Sequence, residues 1–305
     1  MRVVLEFEEI FMSETLQDVI DKIDRLPEHF LVAIKVARML DGYNLDLDIQ
    51  ELTRVISLDQ ALTSLLLKLC NSAHYGFSRK IVSINDAIAK LGFKTIKSLI
   101  FVAVSQGILN QEVQGYGLAK GELWKNSISC AVYSRYLAKI TKYKDPEIAF
   151  TAGLLRDVGK LVIHKYVGVG YNEIIELINS ENISFVEAEN RVLGFNHCQI
   201  GAEMAMKWNF PPILVDVIAH HHTPEKALKG GCQDIDLISI VHIADALAML
   251  LGAGMGSDGL MYSLELKSLE NLKIPQQISS IENLISDVTD LNSEIEAMLG
   301  IVSEK

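Results

Sequence analysis

The run AFTAGLLRDVGKLVIHK, residues 149–165, carries more information about the fold than any other part of this sequence. The residues before it suit a helix start, because Asp145 can cap the first turn and a proline and a glutamate follow. Apolar residues then recur at helical spacing. The run therefore predicts a helix with Arg156 and Asp157 near its C-terminal part, just before Gly159. Charges in so apolar a run need partners; from the local pattern alone, a surface ion pair at the helix end is favoured.

Length and composition describe an ordinary globular chain. Of its 305 residues 49% are hydrophobic and 22% are charged, which provides apolar material for one large core or two moderate ones. The formal net charge is −11. This acidic balance argues against a nucleic-acid partner, because binding a phosphate backbone requires a clustered basic face.

The cysteines and the apolar segments indicate the compartment. The four cysteines are scattered and form no CxxC pair, so they predict reduced, mostly buried thiols rather than disulfides or a zinc knuckle. No basic N-terminal region precedes an apolar run, and no uninterrupted apolar segment approaches the ~20 residues that a membrane span needs. We therefore expect a cytoplasmic protein without a membrane partner.

Helical periodicity runs through most of the chain. Gln60–Asn71 is the clearest example, and Ser83–Asp86 has the form of a capped helix start. No convincing alternation of apolar and polar residues occurs between residues 27 and 109, so the sequence predicts an all-α fold. Gln111–Gly121 predicts a linker between subdomains, and Gly168–Gly170 predicts a break between helices.

Four stretches resemble a known family. GLLRDVGKLVI, residues 153–163, resembles the signature helix of the HD superfamily, in which a histidine directly precedes the aspartate and both bind a divalent metal. DQALTSLLLKLCNSAHYG, residues 59–76, and IVSINDAIAKLGFKTIKSLI, residues 81–100, resemble the N-terminal half of the HDOD domain, an HD-related output domain of bacterial signalling proteins. GFNHCQIGAEMAMKWNFPPILVDVIAHHHTPEKA, residues 194–227, also follows the HDOD pattern.

This resemblance implies a multi-helix HDOD fold, in which an N-terminal helical subdomain packs on a degenerate HD-type helical subdomain. The implied parts are an N-terminal segment (1–25), the HDOD domain (26–248, with subdomains 26–110 and 122–248), and a glycine-rich loop with a C-terminal amphipathic helical tail (249–305). Apolar residues keep helical spacing from Ile278 to Leu299, and this stripe must be covered. Coverage by the chain's own core is favoured, and a homodimer through the C-terminal helix is the alternative.

The resemblance also assigns a site. HD enzymes hold their metal with two histidines and two aspartates, and the corresponding positions here are Asn126, Arg156, Asp157 and Asp245. A guanidinium cannot bind a cation and would repel a metal. We therefore predict a relic site, in which Arg156 replaces the charge of the metal in a buried network with the two aspartates. No residue is assigned a catalytic role.

A histidine group offers a second candidate site. In two-metal HD relatives, histidines in the region of His197, His221 and His222 bind the second ion. Imidazoles bind transition metals well, so a weakly bound divalent ion such as zinc or nickel is one interpretation. Consecutive helical residues point in different directions, so at most one or two of the histidines at positions 220–222 can converge. A relic without a metal is the favoured interpretation.

The expected function follows from the missing ligands. We expect a non-catalytic regulatory or adaptor module of bacterial signal transduction that binds a protein partner or a small signalling ligand in the cleft between the subdomains. The alternative is a metal-dependent phosphohydrolase or phosphodiesterase with an altered ligand set. Residues 254–259 satisfy the letters of GxGxxG, but they follow a helical pattern rather than a strand, so we assign them no nucleotide.

Overall fold

The computed structural model describes residues 60–232, 234–254, 256–257 and 264–303, together with residues 16, 19, 53, 54, 56 and 57. The predicted N-terminal segment, the first part of the predicted HDOD domain and part of the glycine-rich loop lie mostly outside these residues. The division into subdomains at residues 26, 110, 122 and 248 stays a prediction.

The fold is all-α, as predicted. Within the described residues no strand occurs, and the one isolated bridge joins Val113 to Leu118. From residue 60 onward the described α-helices are α1 Gln60–Cys70, α2 Ile84–Leu91, α3 Phe93–Leu109, α4 Glu122–Ile140, α5 Pro146–Leu155, α6 Lys160–Glu181, α7 Phe185–Leu193, α8 His197–Lys207, α9 Pro212–His220, α10 Pro224–Gly230, α11 Ile235–Leu250, α12 Leu266–Asn271, α13 Ile278–Thr289 and α14 Asn292–Ser303. None of the described helices has the length and apolar content that crossing a membrane requires.

The predicted helix starts form as the side chains dictate. Ser83 caps α2 by accepting a hydrogen bond from the backbone N–H of Asp86 at 3.1 Å. Asp145 caps α5 by accepting from the N–H groups of Glu147 and Ile148, and Pro146 occupies the first helical position.

Helix α4 lies at the centre of the core. It packs against α3, α5, α11 and α14, and large side chains such as Trp124, Ile128 and Leu137 are almost fully buried in it. Because neighbouring helices cover α4 on several sides, its apolar residues are spread around the helix instead of forming one apolar stripe opposite a solvent-exposed face. The contacts of α4 with its sequence neighbour α5 and with the distant α11 bring these three helices together.

One glycine-based prediction was wrong, and another stays a prediction. Helix α6 continues through residues 168–170 without a break. At Gly170 an added Cβ would lie 2.8 Å from Val192 Cγ1, so this glycine lets α7 pack closely on α6. The predicted linker at 111–121 forms a 3₁₀ turn, Gln114–Tyr116, and Gly115 packs directly on the backbone of α6 at His164.

The C-terminal tail packs on its own chain. Helix α14 contacts α4 and α1, and Val288, Ile295 and Met298 are at most 5% exposed. A buried ion pair joins Glu294 of α14 to Arg135 of α4. Most of the apolar stripe of the tail is thus covered within the chain, with Ile278 at its start 76% exposed. The homodimer through this helix stays a prediction.

Candidate functional site

The four residues at the HD metal positions lie together in the core. Asn126 belongs to α4, Asp245 belongs to α11, and Arg156 and Asp157 follow the last turn of α5. All four are at most 4% exposed. Arg156 Nη2 donates to Asn126 Oδ1 and Asp245 Oδ1 and lies 3.1 Å from Asp157 Oδ2, while its Nη1 donates to the carbonyl of Gly153 at 3.0 Å. The guanidinium therefore stands between the two aspartates.

A second cation completes the charge balance. Lys160 Nζ, at the start of α6, lies 3.1 Å from Asp157 Oδ1. Burial raises the pKa of Asp157, but Lys160 and Arg156 outweigh burial and hold the pKa well below its usual range. Burial lowers the pKa of Arg156, but Asp245 and other neighbours raise it well above its ordinary value, so the guanidinium stays charged. Two cations thus face two carboxylates in the core.

Two histidines approach Asp157 from the other side. His197 Nε2 and His221 Nε2 each lie 3.5 Å from Asp157 Oδ1. His197 Nδ1 is 2.8 Å from Glu189 Oε2, and His221 Nδ1 is 3.0 Å from the carbonyl oxygen of Ile218. Carboxylate and carbonyl oxygens only accept hydrogen bonds, so each Nδ1 carries a proton. Each ring is thereby oriented with its Nε2 toward the aspartate.

His222 and Cys198 complete a compact group with these rings. His222 Nε2 lies 3.1 Å from His197 Nε2, and Cys198 Sγ lies 3.9 Å from His221 Nδ1. One possible ligand atom from each of the four side chains lies within 4.8 Å of the other three. Burial raises the pKa of Cys198, but His197 and His221 outweigh burial and lower it to about 6. Burial and the two neighbouring imidazoles lower the pKa of His222 well below its usual range.

A cavity of about 280 Å³ lies beside this group. Its walls include Cys198, His222, Lys160 and Lys226, and His220 also lines it without joining the group. All its lining residues fall between positions 160 and 249. The cavity therefore lies inside the predicted HD-type subdomain rather than between the two predicted subdomains.

Comparison with known proteins assigns the family. The family model of the HDOD domain matches residues 26–224, about two thirds of the chain. The chain belongs to the HDOD family. An HDOD domain protein of unknown function from Geobacter sulfurreducens has a similar structure, with a TM-score of 0.70 and 26% identity, and the match covers 99% of this chain and 98% of that one.

Two further proteins are similar to this chain. A protein from Shewanella amazonensis SB2B, named as a proposed phosphohydrolase, gives a TM-score of 0.70 at 23% identity, covering 96% of this chain and 100% of that one, and shows the fold alone. An uncharacterised protein of Treponema pallidum (strain Nichols) is 26% identical over 214 residues, 69% of this HDOD chain. The chain spans about 40% of the length of that relative. Family membership makes it an HD-superfamily signalling module.

The structure adds residues to this HDOD site that sequence reasoning missed. Glu189, which is fully buried, accepts hydrogen bonds from Tyr116 and lies against His197. The sequence did contain a signal for it, since Glu189 stands four residues after Phe185, on the apolar face of α7. Cys198 was predicted only as a buried thiol, because no cysteine or histidine spacing of a known motif surrounds it.

The glycine-rich loop closes the site from the side of α4. Asn126 Nδ2 donates to the carbonyl of Ala253 at 2.8 Å. Gly254 has a φ of +65°, and an added Cβ would lie 2.2 Å from the carbonyl oxygen of Glu122. The first glycine of the apparent GxGxxG motif therefore makes a tight turn against α4, which is a structural reason for a glycine there.

Proposed function

We propose that this HDOD chain is a non-catalytic regulatory or adaptor module of bacterial signal transduction, which binds a small signalling ligand or a protein partner. One observation carries the proposal: the Arg156 guanidinium contacts Asn126, Asp157 and Asp245, the positions from which HD enzymes bind their metal. A fixed positive charge thus stands among the residues that would have to bind a cation.

The electrostatics favour the guanidinium over a metal. Arginine stays protonated in proteins, so it cannot become a ligand. Asp157 is already neutralised by Arg156 on one oxygen and by Lys160 on the other, both at 3.1 Å. A divalent ion at the HD positions would have to displace a buried side chain from its ion pairs, which costs several kcal/mol.

The binding role rests on the cavity beside the histidines. It has about 280 Å³ of space and combines two lysines and several imidazoles with apolar walls such as Phe185. Concave sites with a few converging polar groups are where small ligands bind. We therefore place the ligand site in this cavity, within the HD-type half, instead of in the predicted cleft between subdomains.

A metal-dependent phosphohydrolase is the second candidate, and the orientation of the histidines favours it. His197 and His221 hold their Nδ1 protons on fixed acceptors and turn Nε2 toward Asp157, as metal-binding histidines do. These residues fit a divalent ion, which His197, His221, His222 and Asp157 would hold. Such an ion, when bound, would lower the pKa of a bound water and polarise a phosphate ester.

The test has two parts, which are turnover by the parent chain and metal binding by a variant with the HD histidines restored. Tag-free protein is assayed on bis(p-nitrophenyl) phosphate with Mn²⁺, Fe²⁺ or Zn²⁺, and metal content is measured on the same samples. We expect no turnover from the parent. The double variant Asn126→His with Arg156→His restores the two missing ligands, so it should bind one more divalent ion per chain than the parent.

The contrary result is specific. Turnover by the parent that Asp157→Ala abolishes, and that a surface control such as Lys229→Ala leaves intact, would reject the non-catalytic function and establish the hydrolase. Lys229 is a suitable control because its side chain is 80% exposed and does not line the cavity.

A further inference from the structure

We propose that the loop between α1 and α2, residues 77–82, is a docking surface for an acidic segment of a partner protein. This inference rests on the proposed binding function and specifies the chemistry of the protein partner. None of the loop residues lines the cavity in the HD-type half, so the surface is separate from the site proposed for a small ligand.

The region around this loop carries a charge opposite to that of the whole chain. Residues 60–109 contain six lysine or arginine residues and one acidic residue, Asp86, so their net charge is +5 in a chain of net charge −11. Asp86 pairs with Lys90 at 3.2 Å. Arg79 and Lys80 are exposed, and the described part of the chain provides no ion-pair partner for either. A local excess of positive charge attracts a partner of opposite charge.

The same loop exposes apolar side chains. Val82 is 78% exposed and Phe77 is 37% exposed. The Phe77 ring stacks on Tyr75 with the ring centroids 6.4 Å apart, and Lys90 Nζ lies 5.5 Å from the centroid of Phe77. A single exposed apolar residue is normal on a protein surface. Two of them in one short loop with exposed cations form a mixed apolar and basic surface, which is the composition that an acidic, partly apolar segment complements.

The loop is fixed to the fold at its base. Asn71, which directly follows α1, accepts a hydrogen bond from the backbone N–H of Ile81 at 2.7 Å and donates one to the carbonyl oxygen of Ile81 at 2.8 Å. The Ile81 side chain is buried, and Ser83 caps α2 directly after the loop. These contacts fix the backbone on both sides of Val82. A surface that is ordered before binding loses less entropy when a partner docks.

An acidic protein segment fits this surface better than a nucleic acid or a lipid bilayer does. A nucleic acid requires a longer row of phosphate contacts and free aromatic faces for its bases, whereas Phe77 already contacts Tyr75 and Lys90. An anionic bilayer would repel a chain of net charge −11, and within the loop Val82 is the one largely exposed apolar side chain that could insert. A protein segment needs only a few carboxylates for the cations and one apolar side chain for Val82.

The experiment determines which class of anion the loop binds. Tag-free full chain is used to select binders from a phage-displayed random peptide library, and the affinity of the selected peptides is measured by fluorescence anisotropy at low and high salt. Parallel samples contain single-stranded DNA, or vesicles of phosphatidylcholine with phosphatidylserine. The test variant is Arg79→Glu with Lys80→Glu. The control is Lys120→Glu with Lys125→Glu, which makes the same change in charge at two exposed positions outside the loop.

We expect the selection to enrich peptides in which acidic residues flank an apolar residue. The test variant should weaken the binding of these peptides by about tenfold or more, because reversing a charge at an interface replaces an attraction by a repulsion. The control should keep the affinity of the parent. Val82→Ser should weaken binding by a smaller factor at both salt concentrations, because it removes apolar contact without changing the charge. Thermal unfolding checks that all variants keep the fold.

The inference would be overturned by a selection without enrichment, by enriched peptides that lack acidic residues, or by equal peptide affinity in the test variant and the control. Binding of DNA or vesicles in preference to the peptides would also overturn it. Turnover assays on the same samples separate it from the proposed function. Phosphodiester turnover by the parent would reject the non-catalytic function and leave the peptide result unchanged. Absence of both peptide binding and turnover would overturn the docking surface and leave ligand binding in the cavity standing.

Discussion

Replacing Arg156 by alanine is the most direct test of the charge network in the core. The side chain is fully buried and contacts two carboxylates, an amide and a backbone carbonyl. Its removal leaves Asp245 and Asp157 in the core without the guanidinium that balances them. Asp157 keeps its contact with Lys160 at 3.1 Å, so the loss falls mainly on Asp245.

The magnitude follows from the burial of the partners. Removing one member of a buried ion pair costs about 3–5 kcal/mol, because the remaining charge keeps its desolvation cost. For a chain of this size about 1 kcal/mol corresponds to roughly 2 °C in Tm. Arg156→Ala should therefore lower Tm by roughly 6–10 °C. Arg156→Lys keeps the charge but not the planar fork, so an intermediate loss is expected.

Thermal and urea unfolding monitored by circular dichroism measure these losses. The matched control is Arg191→Ala, because Arg191 also pairs with two carboxylates, Glu181 and Glu187, but its side chain is 42% exposed. Exposed ion pairs contribute less than about 1 kcal/mol. If Arg156→Ala lowers Tm by no more than Arg191→Ala does, the guanidinium does not hold the core together and the reasoning fails.

Two further predictions concern the loop and alkaline pH. Gly254→Ala should lower the free energy of unfolding by roughly 2–4 kcal/mol, because the added methyl group combines backbone strain with a steric clash. The control is Gly231→Ala, which has the backbone strain alone, since Gly231 has a φ of +81° and nothing within 4 Å of the added Cβ. Equal losses for the two variants in urea unfolding would refute the contact at Gly254. Tyr143 donates to an aspartate at 2.9 Å, and burial followed by that aspartate raises the pKa of its hydroxyl. Because the pKa of this hydroxyl is higher in the folded state than the value near 10 in the unfolded state, the group stabilises the fold fully below about pH 10. This stabilisation is lost as the pH rises further. Tyr143→Phe should therefore cost about 1 kcal/mol at pH 8, and this difference from the parent should shrink by pH 11; a constant difference would contradict the assignment.

The helices could be predicted because their determinants are local. Apolar spacing and capping residues lie within one or two turns, as at Ser83 and Asp145, and these features formed as expected. The error at residues 168–170 arose where a glycine serves a long-range contact. Gly170 keeps a helical backbone and makes room for Val192, which is 22 positions away in the sequence. No local pattern distinguishes a packing glycine from a helix-breaking one.

The candidate site divides in the same way. Arg156 could be identified from the sequence because a charged pair in an apolar run needs partners for its charges. The family pattern then indicated Asp245 as a partner that is distant in the sequence. Glu189 and Cys198 are brought to the site by the packing of helices, and the spacing of residues in the sequence does not predict this packing. Glu189 could have been suspected as an acid on an apolar helix face, whereas Cys198 becomes informative only beside His221, 23 positions away.

The two carboxylate oxygens of Asp157 connect the charge network to the histidine group. Oδ2 faces Arg156, which binds α4, α5 and α11 together, and Oδ1 faces Lys160, His197 and His221. A unit charge about 4 Å from another is worth about 4 kcal/mol at the effective dielectric near a protein surface. A cation bound at the histidines would therefore weaken the hold of Asp157 on Arg156 and Lys160. Under the proposed function, occupancy of a site beside the cavity would thus act on the central helices of the fold. Such coupling is what a module that reports binding without performing chemistry requires.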